Sequence, residues 1–572
     1  MATELELESL DGLKKLLLIK EVCFDNHIVR LGGLRLFDAT RKILNNRGIK
    51  TQQEIKEFLY PSLSQLYNPF LLKDMDIAVS RIIRAIERKE KIFIVGDYDT
   101  DGVTATSLLL RFFREIGVKA SFYIPTRDDG YGLSSEAIKR AHEKGASLII
   151  TVDNGITSID EVEFAKSVGI DVIITDHHEP QEELPSAFAV INPKREDSKF
   201  PFKELSGVGV AFNLVMALRN HLRRRGFFDN RREPNLKKYL DLVALGTLAD
   251  IVPLLDENRV CVKIGLFSNQ HSTVGLETLK KVSGIEGNLT SKHIGFVLAP
   301  RINAAGRLSD ASIVVDMFMK ETAEEAEIIA RKLEEINHER RKLQMQIINE
   351  VEQIAKNTEE PIIVAAKEGW HKGVIGIVAN AIAYRYKKPT IIITKGESLS
   401  IGSGRSVGDI DLFSIIKRTS HLLEKFGGHR MAVGITIKNK HMDDFKELVS
   451  SIIKEEYKDY KPTLKYEVDC EASFSIFTRQ FLEELTLLEP HGPLNEEPLF
   501  FSKNAIVKEK TYILDKYPKY LLDDGTSSLW MVSFDKLELN IGYMYDVLFT
   551  ATMKNGYPTF TLKDVFFIKE GG

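Results

Sequence analysis

The chain has little cysteine and no long apolar run. Its only cysteines are Cys23, Cys261 and Cys470, which are far apart and lack the C-x-x-C spacing of a zinc or redox site. We therefore expect buried, reduced thiols. No apolar stretch reaches the roughly 18 residues that a membrane-spanning helix needs, and the N-terminal MATELELESLDGLKKLLLIK carries acids where a secretion signal is basic. These absences predict a cytoplasmic protein that does not enter a membrane.

An excess of positive charge is also absent. Lysine and arginine total 78 and aspartate and glutamate total 82, which gives a formal net charge of −4. This balance argues against a protein that coats nucleic acid through bulk electrostatics, although local basic patches can still bind phosphate. The length of 572 residues is too great for one core, and a prior of about 150 residues per domain predicts roughly three to four domains.

Hydrophobic patterning divides the chain into segments. From Lys91 to Ile251, short β-branched runs alternate with amphipathic stretches, which is typical of a parallel sheet flanked by helices. The charged stretch from Thr322 to Asn357 has no Gly or Pro and predicts one long helix, after which a second α/β alternation begins. The last part alternates apolar and polar residues between turn signals, which predicts a small β-barrel of the OB type. The predicted segments are 1–75, a helical extension packing on the first α/β domain; 76–320, that domain; 321–358, the connecting helix; 359–458, the second α/β domain; and 459–572, the barrel.

Successive predicted strands end in side chains that can bind a metal. These are Asp97, Asp99 and Asp101 in IVGDYDTDGVTA, Asp153 in IITVDNG, and Asp176, His177 and His178 in VIITDHH, with Asp250 in ALGTLADIV as a further acid. Because ligands of open α/β sheets sit at the carboxyl ends of the strands, we expect these side chains to meet in one crevice. Carboxylate and imidazole groups without cysteine favour Mn²⁺ or Mg²⁺ over a structural zinc site.

The number of these ligands predicts the chemistry. Several carboxylates and an imidazole exceed what one small hard cation needs, which favours two ions bridged by a shared acid. Two such ions can activate water for an in-line displacement at phosphorus, so the pattern predicts phosphoester or phosphoanhydride hydrolysis. A single Asp after a strand is commonly a turn residue, and the inference therefore depends on the repetition of the motif.

The motifs DYDTDG, DNG, DHH and GTLAD, in this order, resemble those of the DHH phosphoesterase superfamily. The later GWHKGVIGIVA, GSGRS and FGGHRMAVG resemble its associated DHHA1 domain. With RINAAGRL between the two sets and a β domain after them, the order from about Ile92 to the C-terminus resembles the RecJ family of single-strand-specific 5′→3′ DNA exonucleases. The resemblance implies an α/β multidomain fold, in which DHH and DHHA1 domains are joined by a long helix and followed by a C-terminal OB-like β-barrel that binds nucleic acid.

The same resemblance implies a role for each matching residue. It implies two Mn²⁺ or Mg²⁺ ions held by Asp97, Asp99, Asp153, His177 and Asp250, with Asp153 as the bridging acid. The implied catalytic groups are Asp153 and His178, which resembles a histidine that faces the scissile phosphate, together with Asp101 and Asp176, which would orient the ligands.

Two segments depart from family patterns. DHH-family pyrophosphatases and oligonucleotide hydrolases carry a histidine before the first aspartate motif, where this chain has Phe93. We expect one metal to be held more weakly and activity to need more added Mn²⁺ or Mg²⁺. In LEPHGPLNEEPLF, His491 and Leu494 replace the phenylalanine and second glycine common in RecJ sequences, which predicts a local difference in the barrel.

Three segments are candidates for binding DNA phosphates. An arginine in PTRDDGYG resembles one that approaches the 5′ end of the substrate. The glycine-rich GSGRSVG and GGHRMAVG would let backbone N–H groups approach a phosphate. With the resemblance, we expect a channel for one DNA strand between the two α/β domains, which RINAAGRL would also line. The residues are Arg127, Arg301, Asn303, Arg307, Ser403, Arg405, Gly427, Gly428 and His429. Without the resemblance, tight turns and surface ion pairs are the simpler interpretation of these segments.

The leading hypothesis is a metal-dependent 5′→3′ exonuclease that degrades single-stranded DNA to mononucleotides in repair and recombination. The resemblance implies single-stranded DNA as substrate, single-stranded DNA-binding protein and a helicase as partners, and a monomer. An alternative is a DHH hydrolase of short oligonucleotides or cyclic dinucleotides, but those members usually end after the DHHA1 domain. A catalytically inactive scaffold, like the DHH-derived subunit of the eukaryotic replicative helicase, is disfavoured because every core ligand motif is intact.

Overall fold

The computed structural model describes residues 3–8, 14–25, 27–31, 33–127, 129–130, 132–267, 273–356, 358–458, 464–554 and 556–570. The chain divides into two units. The first unit comprises Met1–Ala299, Val314–Glu327 and Leu464–Gly572, and the second comprises Pro300–Ile313 and Ile328–Thr463. Among the helices in the described ranges, none combines the length and apolar character that a bilayer crossing requires.

The N-terminal part of the first unit contains strands as well as helices. Its elements are β1 Thr3–Glu8, β2 Lys14–Cys23, β3 Ile28–Leu31, β4 Leu34–Phe37, α1 Asp38–Asn46 and α2 Gln52–Leu59. Burial alternates along β2, where Leu17 and Ile19 are buried and their neighbours are partly exposed, which is the period of a strand rather than a helix. The helical extension predicted for 1–75 is therefore wrong here, because β2 pairs with β1 and also with a C-terminal strand, Leu464–Ala472.

A five-stranded parallel sheet in the first unit positions the candidate site, with the strand order β6-β5-β7-β8-β9. Its strands are β5 Lys91–Val95, β6 Ala120–Tyr123, β7 Ala146–Val152, β8 Asp171–Thr175 and β9 Ala189–Ile191. The helices of this region are α3 Met75–Glu87, α4 Thr100–Glu115, α5 Ser135–Glu143, α6 Ile159–Ser167, α7 Gly207–Arg224, α8 Leu240–Ala249, α9 Asp256–Phe267, α10 Val274–Val282 and α11 Ser291–His293. Leu148, Ile149 and Ile150 of β7 are all fully buried, as expected for a strand covered on both faces.

Three helices follow, α12 Ala299–Leu308, α13 Ser312–Phe318 and α14 Ala323–Ala355. The last is the predicted long helix, which the absence of Gly and Pro allows to run for 33 residues. The rest of the second unit comprises β10 Ile363–Glu368, α15 Lys372–Tyr386, β11 Thr390–Lys395, β12 Leu399–Arg405, α16 Leu412–Arg418, β13 Leu423–His429, β14 Ala432–Lys438 and α17 Met442–Glu456. The sheet order is β10-β11-β12-β14-β13, with only β10 and β11 parallel.

The C-terminal part of the first unit is a barrel, as predicted. Its elements are β15 Leu464–Ala472, α18 Arg479–Leu485, β16 Leu499–Ile513, β17 Tyr517–Asp523, β18 Ser528–Val532, β19 Tyr543–Lys554 and β20 Tyr557–Glu570. The ring β16-β17-β18-β20-β19 closes because β19 pairs back onto β16. Phe477 fills the interior, with edge contacts to the rings of Phe500, Phe549 and Phe560. Strands β1, β2 and β15 extend this sheet beyond β16.

Candidate metal centre

The predicted metal ligands of the first unit lie at the carboxyl ends of three neighbouring strands. Asp97 follows β5, Asp153 follows β7, and His177 follows β8. Asp250 joins them from the C-terminal end of α8. The parallel sheet thus brings together side chains that are far apart in sequence, as the strand-end pattern predicts.

Local backbone conformation holds these acids in place. Asp99 is the N-cap of α4, where its carboxylate accepts a hydrogen bond from the Gly102 N–H at 3.0 Å. Asp153 has a left-handed backbone with φ of 63°, and Ile251, directly after Asp250, has φ of 61°. A β-branched residue is rarely found in this region, and such strain is concentrated at functional sites.

The side chains form three overlapping groups whose ligand atoms lie within 4.8 Å of one another. The groups are Asp97, Asp99 and Asp153; Asp153, His177 and His178; and Asp101, His177 and Asp250. The Nε2 atom of His177 lies 3.1 Å from Asp153 Oδ1 and 3.5 Å from Asp250 Oδ2. Asp153 and His177 each belong to two of these groups, and of the two only the Asp153 carboxylate has two oxygen atoms with which to bridge two ions.

Burial and mutual repulsion perturb these groups strongly. Burial and the charge of Asp99 raise the pKa of Asp97 to about 8, and burial and the charge of Asp101 raise the pKa of Asp250 to about 9. Burial and the adjacent carboxylates also raise the pKa of Asp153 well above its usual range. Burial lowers the pKa of His177 to about 4, so this imidazole is neutral at pH 7 and can act as a ligand.

The donor set fits divalent cations. Asp97 Oδ1, His177 Nε2 and Asp250 Oδ2 are buried, and none of the three atoms has a hydrogen-bond partner among the described residues. Buried polar atoms are normally satisfied, so three such atoms in one crevice indicate a missing positive partner. Oxygen and imidazole ligands suit Mn²⁺ and Mg²⁺.

Two further acids, Asp101 and Asp176, accept hydrogen bonds from the backbone around this centre. Asp101, 1% exposed, accepts hydrogen bonds from the backbone N–H groups of Gly207 at 2.6 Å and Val208 at 3.0 Å. Asp176 accepts from the N–H groups of Ile156 at 3.0 Å and His177 at 2.7 Å. Both carboxylates therefore tie loops to the site.

The structure also places residues at the site that the sequence interpretation did not select. A Cβ atom on Gly207 would collide with the Asp153 carboxylate, and one on Gly102 would lie 2.6 Å from the backbone of Asp97. Gly207 also starts α7, which Ser206 caps through a hydrogen bond from Gly209 N. The signal was present in the run SGVG, where a capping serine precedes glycines at a helix start.

Phe93 packs in the core of the sheet. It lies two residues before the end of β5, is 1% exposed, and shares a hydrophobic cluster with Val95, Ile149 and Ile174. The chain thus has no imidazole at this position, in agreement with the departure seen in the sequence.

Arg127 is the predicted substrate residue in the first unit. It lies on the loop after β6, where its guanidinium carbon is 4.4 Å from the ring centroid of Tyr98. Tyr98 stands between Asp97 and Asp99 in sequence. The positive charge of Arg127 partly opposes the rise in the pKa of Asp97 that burial and Asp99 cause. The structure therefore brings Arg127 to the acidic cluster.

The second unit contains the other predicted substrate residues. Ser403 and Arg405 lie on β12, where Arg405 Nη1 donates to Ser403 Oγ at 3.1 Å. Gly427, Gly428 and His429 lie on the edge strand β13, paired with β14. Arg301, Asn303 and Arg307 lie on α12, where Arg301 is 7% exposed and ion-paired with Glu334, and Arg307 donates to the Gly373 carbonyl.

The backbone N–H groups of Gly402 and Gly404, which the sequence interpretation offered to a phosphate, are in fact part of a sheet. Gly402 and Gly404 lie within β12, which pairs with β11 on one side and β14 on the other. Their backbones therefore belong to a central strand with a ladder on each side, and only the side chains of this strand are available to a phosphate. The glycines are needed for another reason, because a Cβ at Gly402 would lie 2.7 Å from Ile435.

Three segments of the chain match known protein families. The family models that match are the DHH family, N-terminal domain, over residues 91–247, the DHHA1 domain over 359–455, and the RecJ OB domain over 468–557. Together they define a DHH-type protein with a DHHA1 domain and an OB domain, the class that the fold and site indicate.

Curated and solved relatives narrow the class. The single-stranded-DNA-specific exonuclease RecJ of Bacillus subtilis is 38% identical over 522 residues, or 89% of this chain and 64% of that protein. Its Escherichia coli counterpart is 36% identical over 82% of this chain and 84% of that protein. The crystal structure of Thermus thermophilus RecJ with Mn²⁺ matches at a TM-score of 0.79 and 28% identity, covering 94% of this chain and 76% of that chain. The chain belongs to the RecJ family.

Proposed function

We propose that this protein is a metal-dependent 5′→3′ exonuclease that hydrolyses single-stranded DNA to mononucleotides in DNA repair and recombination. The convergence of Asp97, Asp153, His177 and Asp250 on one crevice, with buried ligand atoms in need of a positive partner, carries the proposal. The substrate comes from the family, whose relatives are named single-stranded-DNA-specific exonucleases. Solved RecJ structures contain Mn²⁺ or Mg²⁺, which supports the same cofactor here.

The ligands divide naturally between two ions. Asp97, Asp99, Asp153, His177 and Asp250 would hold Mn²⁺ or Mg²⁺, with Asp153 shared because, of the two residues that belong to more than one group, only Asp153 has a carboxylate that can bridge two ions. When bound, such ions lower the pKa of a water and neutralise charge that develops on the phosphate oxygens. Asp101 and Asp176 hold the protein ligands in orientation through their backbone hydrogen bonds.

His178 is suited to the scissile phosphate. Its side chain is 45% exposed, and although burial alone would lower its pKa, the hydrogen bond with Asp176 raises that pKa to about 9. In the metal-free protein the ring is therefore an imidazolium at pH 7. We assign it the role of donating a charge-assisted hydrogen bond to a non-bridging phosphate oxygen, which favours the more charged transition state.

DNA binding is assigned to both units. Arg127, beside the acidic cluster, would bind the phosphate at the 5′ end, which would leave the first phosphodiester at the metal ligands and release a mononucleotide. In the second unit, the side chains of Ser403, Arg405 and His429, with the edge-strand glycines Gly427 and Gly428, are assigned to binding DNA phosphates. Asn303 and Arg307 are also assigned to binding DNA, and Arg301 to holding α12 in place through its ion pair with Glu334.

The remaining proposals rest on the family resemblance. They are single-stranded DNA-binding protein and a helicase as partners, a monomeric enzyme, and a cytoplasmic location, which a chromosomal DNA substrate implies.

The test is digestion of a single-stranded DNA of a few dozen nucleotides, labelled separately at each end. Rapid release of the 5′ label as a mononucleotide in Mn²⁺, abolished by a chelator and by Asp153→Ala, supports the proposal. The matched control is Asp160→Ala, which removes an exposed aspartate of α6 and should leave the rate unchanged. Survival of the long strand together with hydrolysis of di- or trinucleotides would instead assign the protein to the oligonucleotide hydrolases.

A further inference from the structure

We propose that Tyr98 and Asp129 are positioning residues that fix Arg127 in place for the 5′-terminal phosphate of the DNA. The inference rests on the proposed function and deepens it, because it specifies how the terminal phosphate is recognised. Neither residue would touch the reacting atoms. Each would act through the guanidinium of Arg127.

The ring of Tyr98 packs against the guanidinium of Arg127. The guanidinium carbon of Arg127 is 4.4 Å from the centroid of the Tyr98 ring, a separation typical of stacking between a cation and an aromatic face. Tyr98 is itself half-buried and lies between two proposed metal ligands in DYDTDG, so its backbone is held by the turn that presents Asp97 and Asp99. The ring therefore gives Arg127 a fixed surface next to the metal centre.

Asp129 fixes the loop that carries Arg127. Its Oδ2 atom accepts hydrogen bonds from Thr126 N at 2.8 Å, from Thr126 Oγ1 at 2.7 Å and from the Tyr123 hydroxyl at 2.8 Å. Thr126 and Asp129 flank Arg127 in sequence, and Tyr123 is the last residue of β6. The hydrogen bonds to Thr126 lower the pKa of Asp129, so this carboxylate is charged at pH 7 and its three bonds are charge-assisted.

An exposed arginine needs such support. Arg127 is exposed, and an unrestrained arginine would lose much of its rotamer freedom on binding a phosphate. Stacking on one side and a fixed loop on the other restrict the side chain before DNA arrives, which reduces the cost of binding. Because the terminal phosphate is bound equally in the ground state and the transition state, the support should affect binding rather than the chemical step.

The competing explanation is that Tyr98 stacks directly on a DNA base. Base stacking on aromatic side chains is common in single-strand binding and does not depend on a terminal phosphate. The two explanations therefore differ in whether the effect of Tyr98 requires both Arg127 and the 5′ phosphate.

The experiment measures binding in the Asp153→Ala background, so that it does not depend on catalysis. Fluorescence anisotropy would give the Kd of two oligonucleotides of one sequence, one with a 5′ phosphate and one with a 5′ hydroxyl. The variants are Tyr98→Leu, Tyr98→Phe, Asp129→Ala and Arg127→Ala, with the double variant Tyr98→Leu/Arg127→Ala. The matched control is Tyr384→Leu, which removes an exposed tyrosine whose ring also carries a cation, Lys387, at 3.9 Å.

We expect Tyr98→Leu to raise the Kd of the 5′-phosphorylated strand by about two- to fivefold, the range that an exposed cation–π contact supports. Tyr98→Phe should preserve the Kd because the ring face remains. Neither Tyr98→Leu nor Asp129→Ala should change the Kd of the 5′-hydroxyl strand, and Tyr98→Leu should add nothing to Arg127→Ala. In the active protein, Tyr98→Leu should raise KM with kcat unchanged.

Several results would overturn the inference. Equal losses on both oligonucleotides, or a further loss in the Arg127→Ala background, would show that Tyr98 contacts DNA itself. An unchanged Kd in Tyr98→Leu would show that the stacking has no role. Failure of the proposed function is a separate result. If the protein prefers the 5′ phosphate through Tyr98 but releases no 5′ label when metal is added, the inference holds and the nuclease function is wrong. If the protein binds neither oligonucleotide, both are wrong.

Discussion

The Nδ1 atom of His178 lies 2.7 Å from Oδ1 of Asp176, whose side chain is almost fully buried. The same carboxylate accepts hydrogen bonds from Ile156 N and His177 N, so its position is fixed by the loops on either side of it. The imidazolium of His178 compensates the buried charge, and in return the carboxylate sets the orientation of the ring. One acid thus couples the proposed phosphate-facing histidine to the ligand His177.

Asp176→Asn should impair catalysis without unfolding the protein. The amide keeps the size and one acceptor but loses the charge that holds His178 protonated and oriented. We expect activity or metal affinity to fall by about 10- to 100-fold, the usual cost of losing a partner that orients a metal-site histidine. Steady-state kinetics at several Mn²⁺ concentrations would measure it, with Asp160→Asn as the exposed control. Wild-type kinetics in Asp176→Asn would contradict the role.

Asp153→Asn should stabilise the metal-free protein while it inactivates the enzyme. Burial and the neighbouring acids, Asp101 foremost, raise the pKa of Asp153, so at neutral pH folding must either protonate this carboxyl or bury a repelled charge, and an asparagine avoids both costs. Asparagine also tolerates the left-handed backbone at this position, where φ is 63°. We expect a gain of about 0.5–2 kcal/mol in the free energy of unfolding, typical of relieving a functional compromise.

Thermal unfolding with a chelator and with added Mn²⁺ would test this expectation. The wild type should gain Tm when Mn²⁺ is added, because a ligand that binds only the folded state stabilises it, and Asp153→Asn should gain much less. A metal-free variant that is less stable than the wild type would show that Asp153 serves mainly to hold the loop.

The site was predictable from sequence where each ligand carries a local signal. Asp97, Asp153 and His177 each follow an apolar strand, and the rule that parallel strands end at one edge is enough to bring them together. The backbone contacts expected of GSGRSVG were wrong because a glycine can serve close packing as well as close approach to a phosphate, and a Cβ at Gly402 would collide with Ile435. The pairing of β2 with β15 could not be predicted, since hydrophobic period does not specify a partner hundreds of residues away.

His491 should make the protein acid-sensitive. Burial and the charges of Arg47 and Arg259 lower the pKa of this histidine to about 3, and its Nδ1 atom is buried without a hydrogen-bond partner among the described residues. In the unfolded chain this histidine takes up a proton near pH 6.5, whereas in the folded chain it stays neutral. Below that pH the unfolded chain therefore binds more protons, and the free energy of unfolding decreases as the pH is lowered.

His491→Phe, which restores the residue common in RecJ sequences, should remove this loss. At pH 7 the two proteins should differ only by packing, whereas between pH 7 and pH 5 the wild type should lose about 2 kcal/mol more than the variant. Urea unfolding at both pH values measures the difference. Parallel pH dependence in the two proteins would show that His491 is not buried as a neutral ring.

Cys23 and Cys470 should form a disulfide when the folded protein is oxidised. Their Sγ atoms lie 2.6 Å apart although the residues are separated by 447 positions, and β2 and β15, which carry them, are paired in parallel. Diamide would accept the two electrons and two protons that the thiols lose when the S–S bond forms. The hydrogen bond with Cys23 and burial raise the pKa of the Cys470 thiol, so the oxidation should run faster at alkaline pH.

Peptide mapping without reductant should then recover the Cys23–Cys470 pair and leave Cys261, which is buried apart from them, as a free thiol. The oxidised protein should unfold at a higher Tm than the reduced one, because the bond joins an N-terminal strand to the barrel across a very long loop. Cys470→Ser should abolish both effects and Cys261→Ser neither. Full recovery of three free thiols from native protein after diamide would show that the two sulfurs do not come into contact in solution. That result would also contradict the pairing of β2 and β15.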